Sequence, residues 1–248
     1  MKKIILIIIC ISTMFTLTSC YKEHNTNFFE ETSPYTKEAE SNYSYEFNDN
    51  KLVISNKCSN LEITKSGTNE VKISMRKSVG GEDEEKLQEA LDNIKCTFSD
   101  GTVNIEPEKD DGFLLNSRSI EATISIPKNI GMLDIESSVG NVELQGNFDN
   151  LKSDMKTGNL AYKGELKQGN FTASVGNVKL DLQSLDPAYK YDINDKVGDV
   201  EIKIPKESSI NLTGPTNRGI EVGNDVKIDD NSATFNINSK VSNVKIDS

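Results

Sequence analysis

The sequence predicts an all-β chain: a single-chain β-solenoid, parallel β-helix-like, with one short amphipathic helix in its N-terminal part. Three observations predict it. A turn built on a small residue recurs through the second half, the aliphatic residues flanking that turn fall into aligned columns, and the segments between turns alternate apolar and polar residues at period two.

The chain opens with Lys2 and Lys3, followed by the almost wholly apolar run IILIIICISTMFTL from Ile4 to Leu17. A helix that spans a bilayer needs about 20 apolar residues, so this run is short for one and has the proportions of a secretory signal core. It ends Leu17-Thr18-Ser19-Cys20, which resembles the bacterial lipobox. That resemblance implies a lipoprotein signal peptide over residues 1–19, cleaved between Ser19 and Cys20. It also implies diacylglycerol, with acyl modification such as palmitate, on Cys20. The alternative is a plain signal peptide with an incidental cysteine. A thioether-linked diacylglycerol buries two acyl chains at about 0.8 kcal/mol per methylene, enough for stable anchoring. The expected location is the extracytoplasmic face of the cell membrane, with the lipid as the only cofactor-like group.

Composition narrows the function classes. The 248 residues carry 28 Lys and Arg against 39 Asp and Glu, a formal charge of −11, and removing residues 1–19 takes away Lys2, Lys3 and no acid, moving it to −13. A chain this acidic is a poor partner for nucleic acid, and none is expected. His24 is the only histidine, so most triads, imidazole bases and zinc sites lack their ligand, and no metal or catalytic residue is assigned. Of four cysteines, Cys10 leaves with the signal and Cys20 is modified. Cys58 and Cys96 remain, either as a disulfide on the oxidising side of the membrane or as two buried thiols.

Residues 20–42 are polar and read as a flexible tether, with the folded domain expected over 43–248. Its first half shows short alternating runs bounded by Gly, Asn, Asp or Pro: KLVISN, NLEITK, EVKISMRK, CTFSD, TVNIEPE and IEATISIP. Between them, residues 82–95 (EDEEKLQEALDNIK) place Leu87, Leu91 and Ile94 at helical spacing with acids clustered in the first turn, which predicts a helical insertion.

The repeats are clear over 133–248. Aligning the small residue of each turn puts Gly140, Gly158, Gly176, Gly198 and Ser242 in one column, at steps of 18, 18, 22 and 44 residues. The last interval accommodates one degenerate coil near Arg218-Gly219-Ile220. Two positions after the small residue stand Val142, Leu160, Val178, Val200 and Val244, and two further on Leu144, Tyr162, Leu180, Ile202 and Ile246. Before the turn come Ile135, Phe171, Ile193 and Ile237, with Ser153 as the polar exception. Directly before it come Val139, Thr157, Val175, Val197 and Val241. Period-two alternation sends all of these inward. Cys58, in the matching segment Cys58-Ser59-Asn60-Leu61, falls in the Val139 column and is expected to point inward too. Outward columns pair Lys163 with Asp181 and Lys203, and Lys179 with Glu201, as ladders between coils. An antiparallel sandwich of similar hairpins is the competing architecture.

On these features the chain resembles the putative-adhesin family of unknown function, whose β-solenoid domains are also called toast-rack domains. The resemblance covers about Tyr43 to Ser248. It rests on the strand–turn–strand unit LVISNKCSNLEI, the helical insertion, the strand ISIP ending at Pro127, and the repeated Gly-Asn-Val turns. It implies an extracytoplasmic β-solenoid used for surface interaction or envelope-stress sensing, with no catalytic motif. Ser242 in place of Gly, the irregular coil GPTNRGIEVGND and a chain that ends inside the repeat without a polar cap depart from it. The last departure implies an edge covered by a partner, or self-association at the solenoid end.

The functional expectation is a surface-exposed, lipid-anchored interaction module without catalysis, whose partners are the membrane and an unidentified protein or cell-envelope component. One alternative is an accessory protein sensing envelope stress or antimicrobial peptides, since an acidic domain attracts cationic peptides. Another is a glycan-active β-helix enzyme, although the one acid cluster, Glu106, Glu108, Asp110 and Asp111, reads as a solvated turn beside a Gly-containing loop.

Overall fold

The computed structural model describes residues 35–107, 117–214, 219–241 and 243–248. The lipobox and most of the expected tether lie outside the described residues. The first half runs β1 (Tyr35–Glu46), β2 (Lys51–Asn56), β3 (Asn60–Ser66), β4 (Glu70–Gly81), helix α1 (Glu84–Asn93), β5 (Ile94–Ser99), β6 (Thr102–Pro107) and β7 (Ser117–Pro127). The repeats follow as β8 (Met132–Val139), β9 (Val142–Gln145), β10 (Phe148–Thr157), β11 (Leu160–Gly164), β12 (Leu166–Val175), β13 (Val178–Leu182), β14 (Lys190–Val197) and β15 (Val200–Lys203). The chain closes with β16 (Ser209–Thr213), β17 (Ile220–Val222), β18 (Lys227–Ile228), β19 (Ala233–Val241) and β20 (Val244–Asp247).

These strands form two ten-stranded sheets, ordered β1-β4-β7-β3-β9-β11-β13-β15-β20-β17 and β18-β16-β19-β14-β12-β10-β8-β2-β6-β5. Each coil gives one strand to each sheet. From β2 and β3 through β20 the neighbours pair in parallel, as a solenoid requires; antiparallel pairing is confined to β1 with β4, β4 with β7, and β5 with β6. The sandwich reading therefore holds only at the N-terminal end.

Stacking order departs from chain order at both ends. The coil β2–β3 lies between β8–β9 on one side and β6 with β7 on the other. At the far end β19–β20 slots directly onto β14–β15, and the degenerate coil β16–β17 is displaced outward to cover it. The final coil is thus capped by the chain's own irregular segment. The outermost strands at that end are therefore β17 in one sheet and β18 in the other.

The expected inward columns are buried where coils stack. Leu61, Val142, Leu160, Val178, Val200 and Val244 form one continuous row, with Ile63, Leu144, Tyr162, Leu180, Ile202 and Ile246 beside it. On the facing sheet Ile54, Ile135, Ser153, Phe171, Ile193 and Ile237 are buried in register. Burying an aliphatic side chain contributes roughly 1.5–3 kcal/mol, so the shared row, not any single coil, holds the stack together.

The helix is shorter than residues 82–95. Asp83 caps it by accepting from the backbone N–H of Glu85 and Lys86, and Leu87, Ala90 and Leu91 face the core. The expected boundary between residues 42 and 43 falls inside β1, so residues 35–42 belong to the domain. Their alternating side chains are only half-buried along β4, a pattern too weakly apolar to announce a strand.

Candidate functional site

Every repeated coil turns a corner between its two strands, and this corner is the most regular surface of the molecule. Gly140, Gly158, Gly176 and Gly198 all adopt positive φ there. Close stacking is the stronger constraint. A Cβ on Gly158 would lie 2.0 Å from the carbonyl oxygen of Gly140, and one on Gly176 1.9 Å from that of Gly158. The structural-turn residues predicted from the repeat are thus brought together in one row. Ser242, assigned to the same row, lies outside the described residues.

One residue on, an amide ladder climbs the corner. The Oδ1 of Asn60 accepts from the backbone N–H of Asn141 at 2.9 Å, Asn141 accepts from Asn159 at 3.0 Å, and Asn159 from Asn177 at 2.9 Å. Asn177 accepts from the N–H of Asp199 at 2.8 Å, and the Asp199 carboxylate accepts from the Asn243 side chain at 2.8 Å. Each side chain satisfies a backbone donor of the next coil that the turn leaves without a strand partner. The recurrence of Asn or Asp directly after each small residue was the available signal for a ladder.

The column directly before the glycines corrects an expectation. Val139, Val175, Val197 and Val241 are 54%, 50%, 47% and 53% exposed, and Thr157 is exposed between them. Inward alternation ends two residues earlier in the strand, at Ser137, Met155, Ala173, Asp195 and Ser239. Beyond that position the chain bends and no opposing strand faces the column, so period two carries the count past the edge of the core.

Cys58, in the same column, is half-buried, and Cys96 is buried; both are free thiols. The disulfide expectation fails on sheet order. Strand β6 lies between β2 and β5, with Ile105 paired to Asn56 on one side and Cys96 on the other. Two strand spacings amount to about 9.6 Å, beyond the roughly 7 Å that a disulfide can bridge between Cα atoms. Burial pushes the Cys96 thiol up to about 12. Burial also raises Cys58, opposed by Arg118 and reinforced by Glu106.

The outward ladders form largely as read. Lys163 reaches Asp181 at 3.5 Å and Lys179 reaches Glu201 at 3.1 Å. Lys203 is opposite Asp181 in register, and Asp181 also accepts from Gln183 at 2.8 Å. Exposed pairs of this kind contribute under about 1 kcal/mol each. Ala161 interrupts the column Glu62, Glu143, Lys179, Glu201, and the missing side chain leaves an open depression of about 240 Å³. A second depression, of about 290 Å³, surrounds Lys65 at the opposite edge. The Lys65 ammonium donates to the carbonyl of Ile130 at 2.5 Å and lies 4.3 Å from the Phe148 ring centroid, so its donors are already engaged.

Two buried tyrosines close the core. The Tyr162 hydroxyl lies 2.9 Å from the carbonyl oxygens of Gly146 and Glu165, and Tyr191 donates to the Leu166 carbonyl at 2.6 Å. Burial raises both phenols above their ordinary value. Glu106 is exposed at the end of β6, while Glu108, Asp110 and Asp111 lie outside the described residues. Among the described residues no group of three or more His, Cys, Asp or Glu side chains converges as a metal site would need.

Residues 50–202 match the family described as Toastrack DUF4097. Among solved structures the chain is similar to a putative cell adhesion protein from Clostridium sporogenes, at 14% identity and a TM-score of 0.43, covering 85% of this chain and 99% of that one. It is similar to a putative adhesin from Bacteroides fragilis, at 15% identity and a TM-score of 0.43, covering 84% and 96%. A putative adhesin from Parabacteroides distasonis matches at 10% identity and a TM-score of 0.39, covering 86% and 97%. No curated protein matches the chain. The family match spans more than half of the residues, and the chain belongs to the Toastrack DUF4097 family.

Proposed function

We propose that this chain is a non-catalytic interaction module, cleaved after Ser19 and held at the outer face of the cell membrane by diacylglycerol on Cys20. One observation carries the anchoring: Lys2 and Lys3, the apolar run Ile4–Leu17 and the tetrapeptide Leu17-Thr18-Ser19-Cys20 stand in the order a lipoprotein signal requires. No helix among the described residues is long and apolar enough to cross a membrane, and two acyl chains are enough for stable attachment. The repeated corners and ladders favour recognition of an extended protein or cell-envelope component over chemistry on a small substrate.

Metabolic labelling with an alkyne fatty acid tests the anchor. The expected result is label on the wild-type chain and none on Cys20→Ala; label retained by the variant refutes it. Turnover of a cell-wall glycan that disappears in Glu106→Gln would refute the non-catalytic half.

The formal charge of −11 favours a second reading, an accessory protein that senses cationic peptides. It expects salt-dependent peptide binding, and a purified chain that binds no cationic peptide at low salt rules it out.

A further inference from the structure

Seven large hydrophobic side chains are exposed among the described residues, and four of them, Val139, Val175, Val197 and Val241, belong to the single column before the corner glycines. They are consecutive rungs, with Thr157 completing the row: Thr157 is in register with Val139 and Val175, the Gly176 N–H donates to the Val197 carbonyl, and Val197 pairs with Val241. At about 4.8 Å per strand the row forms an apolar ridge of roughly 19 Å along the solenoid axis.

The column one residue earlier reads Lys57, Ser138, Lys156, Ser174, Lys196 and Lys240, following the same register. It holds four lysines and no acid, in a chain whose acids outnumber its bases by 39 to 28. Lys57, Lys156, Lys196 and Lys240 are exposed. On the other side of the ridge lies the amide ladder, where Asp199 is the one acid and already accepts from Asn243. Glu136 and Asp154 stand two residues further back, behind Ser138 and Lys156 in the same strands.

We propose that this edge docks on an anionic bilayer surface, the valines entering the boundary between head groups and acyl chains and the lysines meeting lipid phosphates. Shape and charge select that occupant. The apolar row is on a protruding corner and not in a groove, which suits a fluid interface that closes around it, and the flanking row has the sign opposite to anionic head groups. The negative charge of the other faces does not cancel this, because at physiological ionic strength charges more than about 8 Å apart are largely screened. The docking needs no acyl chain, so it stands or falls independently of Cys20.

The test uses the mature chain, residues 20–248, carrying Cys20→Ser, so that neither lipid nor the apolar run Ile4–Leu17 contributes. It is sedimented with vesicles of phosphatidylcholine alone or of equal parts phosphatidylcholine and phosphatidylglycerol. Binding is expected on the anionic vesicles only and is weakened by salt. It should fall more than about tenfold in Val175→Ser with Val197→Ser, and equally in Lys156→Glu with Lys196→Glu. All four positions are exposed, and unchanged thermal melts verify the fold. Absence of binding, equal binding to neutral vesicles, or undiminished binding by either double variant overturns the proposal. A concentration-dependent dimer that the valine variant dissolves also overturns it, assigning the ridge to a second copy of the chain.

Discussion

The ammonium of Lys77 on β4 lies 3.1 Å from the carbonyl oxygen of Leu91, in the last turn of α1, and 3.2 Å from that of Ile94 just beyond it. The helix has no basic residue of its own in that turn, so a buried lysine from the neighbouring strand satisfies its terminal carbonyls. Burial lowers the Lys77 pKa, opposed by Asp92. Replacing Lys77 with Met is expected to destabilise the protein by about 1–2 kcal/mol, because both carbonyls lose the Lys77 donor and Leu91 keeps only the Ile94 N–H. Urea denaturation checks the magnitude. Hydrogen exchange should show the loss first in residues 90–94.

Corner glycines should be far less replaceable than glycines elsewhere. Gly176→Ala forces a Cβ against the Gly158 carbonyl at a positive φ, and a cost above about 2 kcal/mol is expected. A Cβ added at Gly67 would meet no atom within 4 Å, and φ there is not positive, so Gly67→Ala should be neutral or stabilise by up to about 1 kcal/mol. Thermal melts of the two variants should separate clearly.

Ser153 interrupts an otherwise apolar column, and its buried hydroxyl has no hydrogen-bond partner among the described residues. Ser153→Ala removes that uncompensated group with little change in volume. A gain of about 1 kcal/mol is expected in the same denaturation assay, and a loss of stability would mean that the hydroxyl is satisfied in solution.

Alkaline pH should weaken the fold. Above the ordinary thiol value of 9.0 the unfolded chain releases the Cys96 proton, while the folded chain keeps it up to about 12. The folded state then binds more protons, so stability falls as pH rises through this window, by up to about 1.4 kcal/mol per pH unit for this group. Tyr162 and Tyr191 add in the same direction above their ordinary value of 10.0. Cys96→Ala should flatten the slope of stability against pH between 9 and 10.

Native mass spectrometry after alkylation should find both Cys58 and Cys96 as free thiols. Cys58 is half-buried and should react before Cys96, which reacts only on unfolding. Recovery of a Cys58–Cys96 linked peptide would contradict the strand order that puts β6 between them.

The repeat was legible because Val142, Leu160, Val178 and Val200 recur at a constant offset from a residue that the corner forces to be small. Its valine ridge was not, since alternation says nothing about where an opposing strand ends; Val139 and Ile135 have the same parity and opposite fates. Strand β1 was missed because Lys37, Ala39 and Ser41 cover a neighbour without entering the core. The stacking order was equally hidden. Nothing in Ile220 or Val222 announces that their short strand lies outside a coil made later in the chain. Lys77 reads as an ordinary strand cation until α1 folds back over it.

That inverted order has a consequence for how the polypeptide matures. Pairing runs from β14 and β15 to β19 and β20, and only from there to β16 and β17, so β16 and β17 gain their seat after β19 and β20 emerge. During synthesis the growing stack stays open, with an unpaired edge on each sheet, until β19 and β20 thread between what is finished and what is waiting. Strands β19 and β20 therefore work as a latch, and losing them would strand an earlier segment as well.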